Sequence, residues 1–367
     1  MAYFDKYGVE FSDDRKMLVR CPRDFEGEYI IPFEVTHIGM DAFRGCKKLS
    51  AITLSGRTTV ILDSFFGCDN LQDINVYGGY NFEFRSVDGV LYSEDGSWLV
   101  RCPAGRKGEF TIPDFVERID RAAFDGCVGL NAINISQEHP EFCSKDGILF
   151  SKDGTTLVRY PAGREGSYVI PDNVFALESH SFCNCTQLIT VEFSKGVRTI
   201  YECAFSHCDN LQSIDMGSNV EWIEYGAFEH CNQLTTIKIP AKVQKIKGGA
   251  FIGCRSLTMI NVDEDNPYYC SIDGVVLSKN KSTLVQYPCG KKGAYTIPDG
   301  VKWIEKWAFA DCTNLTSIKI PNTILRVEKG AFYGCDSITE IYLPANQVER
   351  FSHREDLPNV KLIVVNL

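Results

Sequence analysis

The chain has 367 residues, 44% of them hydrophobic and 23% charged, and a net charge of -10. That length and apolarity suit a large buried core and exclude a disordered chain. The acidity argues against nucleic acid or anionic lipid as partner, and no apolar run approaches the roughly 20 residues that insert across a membrane.

The N-terminus, "MAYFDKYGVEFSDD", has neither a basic nor an apolar leader region. The chain is therefore expected to be cytoplasmic if full length, and secreted or at the cell surface if a leader has been removed. "YGVEFSDDRKMLVRCP" then opens the first of four hairpin modules, near residues 7–32. The others lie near 86–113, 144–171 and 271–298, with "DGVLYSEDGSWLVRCPAG" from Asp88 as the type sequence. Each alternates apolar runs about a turn such as Asp95-Gly96 or Asp153-Gly154, a strong hairpin signal because Gly accepts positive φ. Each ends in an aromatic-x-Ile-Pro strand, as in Tyr29 to Pro32.

Between and after the modules run nine copies of (A/S)-F-x-x-C-x-x-L-x-x-I-x-(I/L/V), from "AFRGCKKLSAITL" at Ala42 to "AFYGCDSITEIYL" at Ala331. The repeated Phe recurs at steps of 22, 59, 58, 23, 23, 23, 58 and 23 residues. A period near 23 sustained along the chain predicts a solenoid, since one repeat cannot bury its apolar side alone. The period of two in a strand points the Leu and Ile-type residues inward and the residues between them outward. V-x-x-I, as in Val220 to Ile223, forms the opposite wall. Residues 345–367, with "LPNVKL" from Leu357 and a strand ending in Val364 and Val365, read as the C-terminal cap; the first hairpin caps the other end. A single domain spanning 1–367 is expected.

The L-x-x-I-x-I core matches the strand signature of leucine-rich repeats. Combined with A-F-x-x-C-x-x-L, I-P-x-x-V-x-x-I and the D-G-V-L-Y-S hairpins, it resembles the BspA-like leucine-rich repeats over nearly the whole chain. The resemblance implies a curved, right-handed, β-rich repeat solenoid with short helical turns and β-hairpin insertions. It also implies a binder of proteins or host matrix, often on the surface of anaerobic bacteria, with no enzyme activity.

The repeat cysteines, Cys46, Cys68, Cys127, Cys185, Cys208, Cys231, Cys254, Cys312 and Cys335, each precede the core Leu by three residues and read as buried, reduced thiols. The residues just before them are Gly, Asn, Asp or His, the types that tolerate positive φ. His207 and His230 are thus expected to fill a backbone slot. The rival reading joins them to Cys208 and Cys231 as a metal site or thiol nucleophile. It requires the thiols to leave the core, and no C-x-x-C spacing supports it. No catalytic, cofactor-binding or metal-ligating residue is assigned. "DEDNPYY" from Asp263 lacks the Gly and Glu of a calcium loop and reads as a solvated loop.

Binding is expected on outward positions, where side-chain identity is not set by packing. On the strand ladder these include Glu192, Asp215, Lys238, Lys319 and Tyr342. On the V-x-x-I wall the outward column reads His37, Arg118, Thr199, Trp222, Lys245, Trp303 and Arg326. Trp222 and Trp303 beside cations are read either as hot spots or as packed beneath a hairpin. The expected function is a non-catalytic scaffold, adhesin-like in binding a host or matrix protein. The alternatives are a glycan-binding surface using Trp222, Trp303 and Tyr342, and a metal- or thiol-dependent enzyme.

Overall fold

Each coil of the repeat lays down one longer strand and one two-residue strand, joined by hydrogen-bonded turns. The computed structural model describes residues 2–59, 62–78, 83–357 and 360–365. The chain forms two compact units, Met1–Arg164 with Cys183–Cys185, and Glu165–Phe182 with Thr186–Leu367. Both are β-solenoids of the leucine-rich-repeat type. Among the described residues the α-helix is confined to Val348–Ser352, with 3-10 turns at Leu62–Phe65 and Ala345–Gln347, and no helix is long and apolar enough to cross a membrane.

In the first unit the strands Gly27–Ile30, Leu49–Ser55 and Asp73–Tyr77 pair in parallel, as do Lys107–Thr111 and Gly129–Asn134. In the second unit Gly166–Ile170, Leu188–Phe193 and Ser213–Asp215 form one parallel ladder. Thr236–Ile239 pairs with Met259–Val262, and Gly293–Thr296, Leu315–Lys319, Glu340–Leu343 and Lys361–Val364 form a third group. The alternation is as expected: Leu49, Ile52 and Leu54 are fully buried, while Glu192 and Asp215, flanking buried Ile214 and Val191 on neighbouring strands, are exposed. The core is a column of rings. In the second unit Phe205, Phe228 and Phe251 stack at 5.4 and 5.3 Å with planes 7° and 6° apart.

The hairpin modules are richer than the single turn the sequence suggests. Each is a three-stranded antiparallel meander, such as Phe84–Val87, Val90–Ser93 and Trp98–Arg101. Its first turn is Asp88-Gly89, with φ of 47° and 70°, the two left-handed residues a type I′ hairpin needs. Asp95-Gly96 makes the second turn. There the Asp95 carboxylate accepts from Ser93 Oγ at 2.6 Å and from the Ser97 N–H at 2.9 Å, which holds its pKa below the usual carboxylate range. The third strand then joins the V-x-x-I wall: Trp98 and Leu99 pair in parallel with Arg118 and Ile119, and Thr283 and Leu284 with Trp303 and Ile304. In three of the four modules a cation at the end pins the first turn. Arg106 donates to the Asp88 carbonyl, Arg164 to that of Asp146, and Lys291 to that of Asp273.

In the first unit a buried guanidinium also closes the coil. Arg159 donates to Asp125 Oδ1 at 2.9 Å and to the carbonyls of Phe124 and Cys183 at 2.8 and 2.9 Å. The stretch "DEDNPYY" is a solvated loop, with Glu264, Asp265, Pro267 and Tyr268 exposed, pinned by one inward residue. Asn266 is fully buried: its amide donates to the carbonyls of Pro240 and Val243, and its oxygen accepts from the N–H groups of Tyr268 and Tyr269. At the C-terminus Phe351 and Leu357 bury against the last coils, and Lys361–Val364 continues the ladder. Residues 358, 359, 366 and 367 of the expected cap lie outside the described residues, as does Met1.

Candidate partner-binding surface

The His–Cys candidates separate to opposite sides of the turn. The column before the repeat Cys adopts positive φ in all nine coils: 77°, 77° and 80° at Gly45, Gly67 and Gly126, 61° at Asn184, 57° at His207, 55° at His230, 69° at Gly253, 56° at Asp311 and 70° at Gly334. The reason is visible in the hydrogen bonds. This conformation turns the N–H along the stacking axis, so that His207 donates to the Glu229 carbonyl and His230 to that of Ile252, both at 2.8 Å. The two imidazoles stack on each other, centroids 4.7 Å apart. The thiols point inward. Cys208 Sγ donates to the Phe182 carbonyl at 3.1 Å and Cys231 Sγ to that of Phe205 at 3.2 Å, and both residues are fully buried. A weak thiol donor small enough for the core thus satisfies a second lone pair on the previous coil's carbonyl. Burial pushes the Cys231 thiol well above the ordinary range, opposite to what a thiolate nucleophile or ligand needs.

The outward column of the V-x-x-I wall is a register of aromatic and cationic side chains. Thr199, Trp222 and Lys245 stand on successive parallel strands, and so do Thr283, Trp303 and Arg326. Trp222 and Trp303 are each 41% exposed. They are not sealed under a hairpin; Trp303 sits one strand beyond the module's own last strand. In the first unit the same order recurs at Trp98 and Arg118, where the guanidinium lies 5.6 Å from the indole centroid. Sequence reasoning missed Trp98 because it treated the hairpin as an insertion beside the wall. The signal was present in "SWLV", which aligns with the V-x-x-I strands once its Leu is read as the inward residue.

The other expected residues lie in the strand ladder, a different set of sheets. Glu192 stands directly across from Asp215, and Lys319 across from Tyr342. The Tyr342 hydroxyl donates to Glu340 at 2.6 Å, which raises its pKa. Lys238 stands across from Asn261, and its ammonium lies 3.0 Å from Asp263. The eight residues therefore divide between two walls: Trp222, Lys245 and Trp303 on one, Glu192, Asp215, Lys238, Lys319 and Tyr342 on the other.

The model of the BspA type leucine rich repeat region matches residues 27–83, 107–145, 166–273 and 285–355, in six copies. The chain belongs to this family. The BspA-type repeat here is the coil already described, with Phe stacked inside, Cys donating backward and a left-handed residue donating forward. No curated protein matches the chain. Among solved structures, the pneumococcal vaccine antigen PcpA is similar at 18% identity and a TM-score of 0.48, over 100% of this chain and 82% of that one. A leucine rich cell surface protein from Faecalibacterium prausnitzii A2-165 is similar at 22% identity and a TM-score of 0.38, over 93% of this chain and 76% of that one. A leucine-rich repeat protein from Eubacterium ventriosum gives 20% identity and 0.44, over 61% and 75%.

Proposed function

We propose that this repeat scaffold is non-catalytic and binds a protein partner through the V-x-x-I wall, as an adhesin-like module for host or matrix protein at a bacterial surface. The observation that carries the reading is the Trp–cation register, Trp222 beside Lys245 and Trp303 beside Arg326. Exposed indoles held on paired strands lose little conformational freedom on binding, and Trp and Arg dominate interface hot spots. The residues Glu192, Asp215, Lys238, Lys319 and Tyr342 would serve as the polar rim of a second contact on the ladder face. We further propose that 1–367 works as one repeat domain, because the same motif recurs through both units. A glycan partner is the alternative, supported by the same exposed indoles.

The test uses the full chain and a Trp222→Ala/Trp303→Ala variant, assayed in parallel against immobilised matrix proteins and a glycan array. A protein partner whose affinity falls at least tenfold in the variant supports the reading. Equal binding by the variant removes the wall from the interface, and binding confined to the array transfers the function to carbohydrate.

A further inference from the structure

Trp307 is the only Trp, Tyr or Phe at positive φ among the described residues, at 63°. L-residues disfavour that conformation, and a bulky side chain there is an outlier that calls for a reason. The same slot, directly before Ala-Phe, holds Gly226, Gly249 and Gly330 in neighbouring coils, at 61°, 85° and 71°. The surroundings make room for the indole. A Cβ on Gly330 would lie 2.6 Å from Trp307 Cζ3, and one on Gly249 3.2 Å from Cδ1.

Held this way, Trp307 and Tyr333 meet edge to face, 5.6 Å apart at 88°, and Tyr333 is 60% exposed. The two rings wall an open cleft of about 790 Å³, a size suited to a small ligand. Its charged rim is asymmetric. Arg354 and Asp356 form a closed pair, with two bonds of 2.8 Å. That leaves Lys306 and Lys329 against Glu355, with the His353 ring beside them, on a chain whose net charge is -10. The Lys306 ammonium already sits 5.1 Å from the indole centroid. A peptide could not add here as a strand, because Arg354 occupies the carbonyls of Val327 and Glu328 at 3.2 and 2.8 Å.

We propose that this cleft binds an acidic sugar. One face of a uronate ring is apolar C–H surface, suited to the Trp307 and Tyr333 faces, and its carboxylate suits Lys329 and Lys306. The site involves neither Trp222 nor Trp303 and stands independently of the protein-binding reading.

The experiment titrates the full chain with trigalacturonate, its uncharged methyl ester and hexaglutamate by calorimetry. Trp307→Gly removes the indole while giving the slot the residue its φ favours, so its Tm is expected to stay or rise. Tyr333→Ala alters an exposed ring and serves as a second variant. Trigalacturonate is expected to bind, with affinity at least tenfold weaker in both variants, and the ester at least tenfold weaker than the acid. Lys329→Gln is expected to weaken the acid alone. No binding of trigalacturonate at millimolar concentration, undiminished binding by both variants, equal binding of the ester, or tighter binding of hexaglutamate would each overturn the proposal.

Discussion

Replacing His230 separates backbone demand from side-chain chemistry. Its φ of 55° places a Cβ where an L-residue loses about 1–2 kcal/mol, a loss His230→Gly restores. Against this, the glycine variant forfeits the stack on His207, worth about 0.5–1.5 kcal/mol, and adds about 0.5–1 kcal/mol of chain entropy. The nearby Glu229 carboxylate, 3.8 Å away and half-buried like the imidazole, adds little. His230→Gly should therefore stay within about 1 kcal/mol of the parent. His230→Val keeps the Cβ, adds a branch and loses the stack, so it should fall about 2 kcal/mol below the glycine variant. Native-state amide exchange of Phe228 and His230, whose N–H groups bond the Ala250 and Ile252 carbonyls, reads this locally. The expected contrast between Gly and Val is on the order of 30-fold in protection. Valine at parental protection, or glycine more than about 2 kcal/mol worse, would refute the view that backbone conformation selects this residue.

Phe228→Ala opens the ring column between Phe205 and Phe251 and should cost about 3–5 kcal/mol, seen as a lower urea midpoint. Arg159→Met removes the buried guanidinium that bonds Asp125 and the carbonyls of Phe124 and Cys183 and should cost about 3–5 kcal/mol; a change under 1 kcal/mol would show the ion pair to be dispensable. Asp95 and Asp153 have depressed folded pKa values, so the turns they hold are fully stabilised above about pH 4 and weaken as pH falls through the lower folded value. Carboxyl NMR titration should give both midpoints below that of an unstructured Asp. With iodoacetamide at pH 8, mass spectrometry should find the half-buried Cys143, Cys203 and Cys270 labelled before Cys231 and Cys312, whose thiols burial pushes up.

The coil was legible because its period repeats nine times. The inward Leu, Ile and Phe, and even the left-handed slot at His207 and His230, follow from comparing columns within one chain. What stayed hidden lies in the hairpin modules or at the motif's variable positions. Type I′ turns at Asp88-Gly89 were masked by the equally good Asp95-Gly96 signal a few residues on. Asn266 does by side-chain bonding what His139 does in its own loop, where Nε2 meets the Val116 carbonyl and Nδ1 accepts from Glu141 and Phe142. Neither residue type nor spacing announces that equivalence. Trp307 breaks a column that Gly226, Gly249 and Gly330 otherwise fill, a mark of positive φ legible in the chain, but the room made for its indole and its meeting with Tyr333, a variable residue of the motif, are seen in the coordinates alone. The two strand motifs already divide the outward residues between the ladder and the V-x-x-I wall; what they do not supply is contacts outside the strands, such as Asp263 beside Lys238.

The last strand of each hairpin module returns the chain to the V-x-x-I wall in register. Such a module is a phase-preserving cassette: successive Phe positions lie 58 or 59 residues apart across it instead of 22 or 23, yet the repeat motif resumes downstream. Gaining or losing one would change the chain's length while the strand that follows still pairs in register, so lineages could diversify this scaffold by whole units.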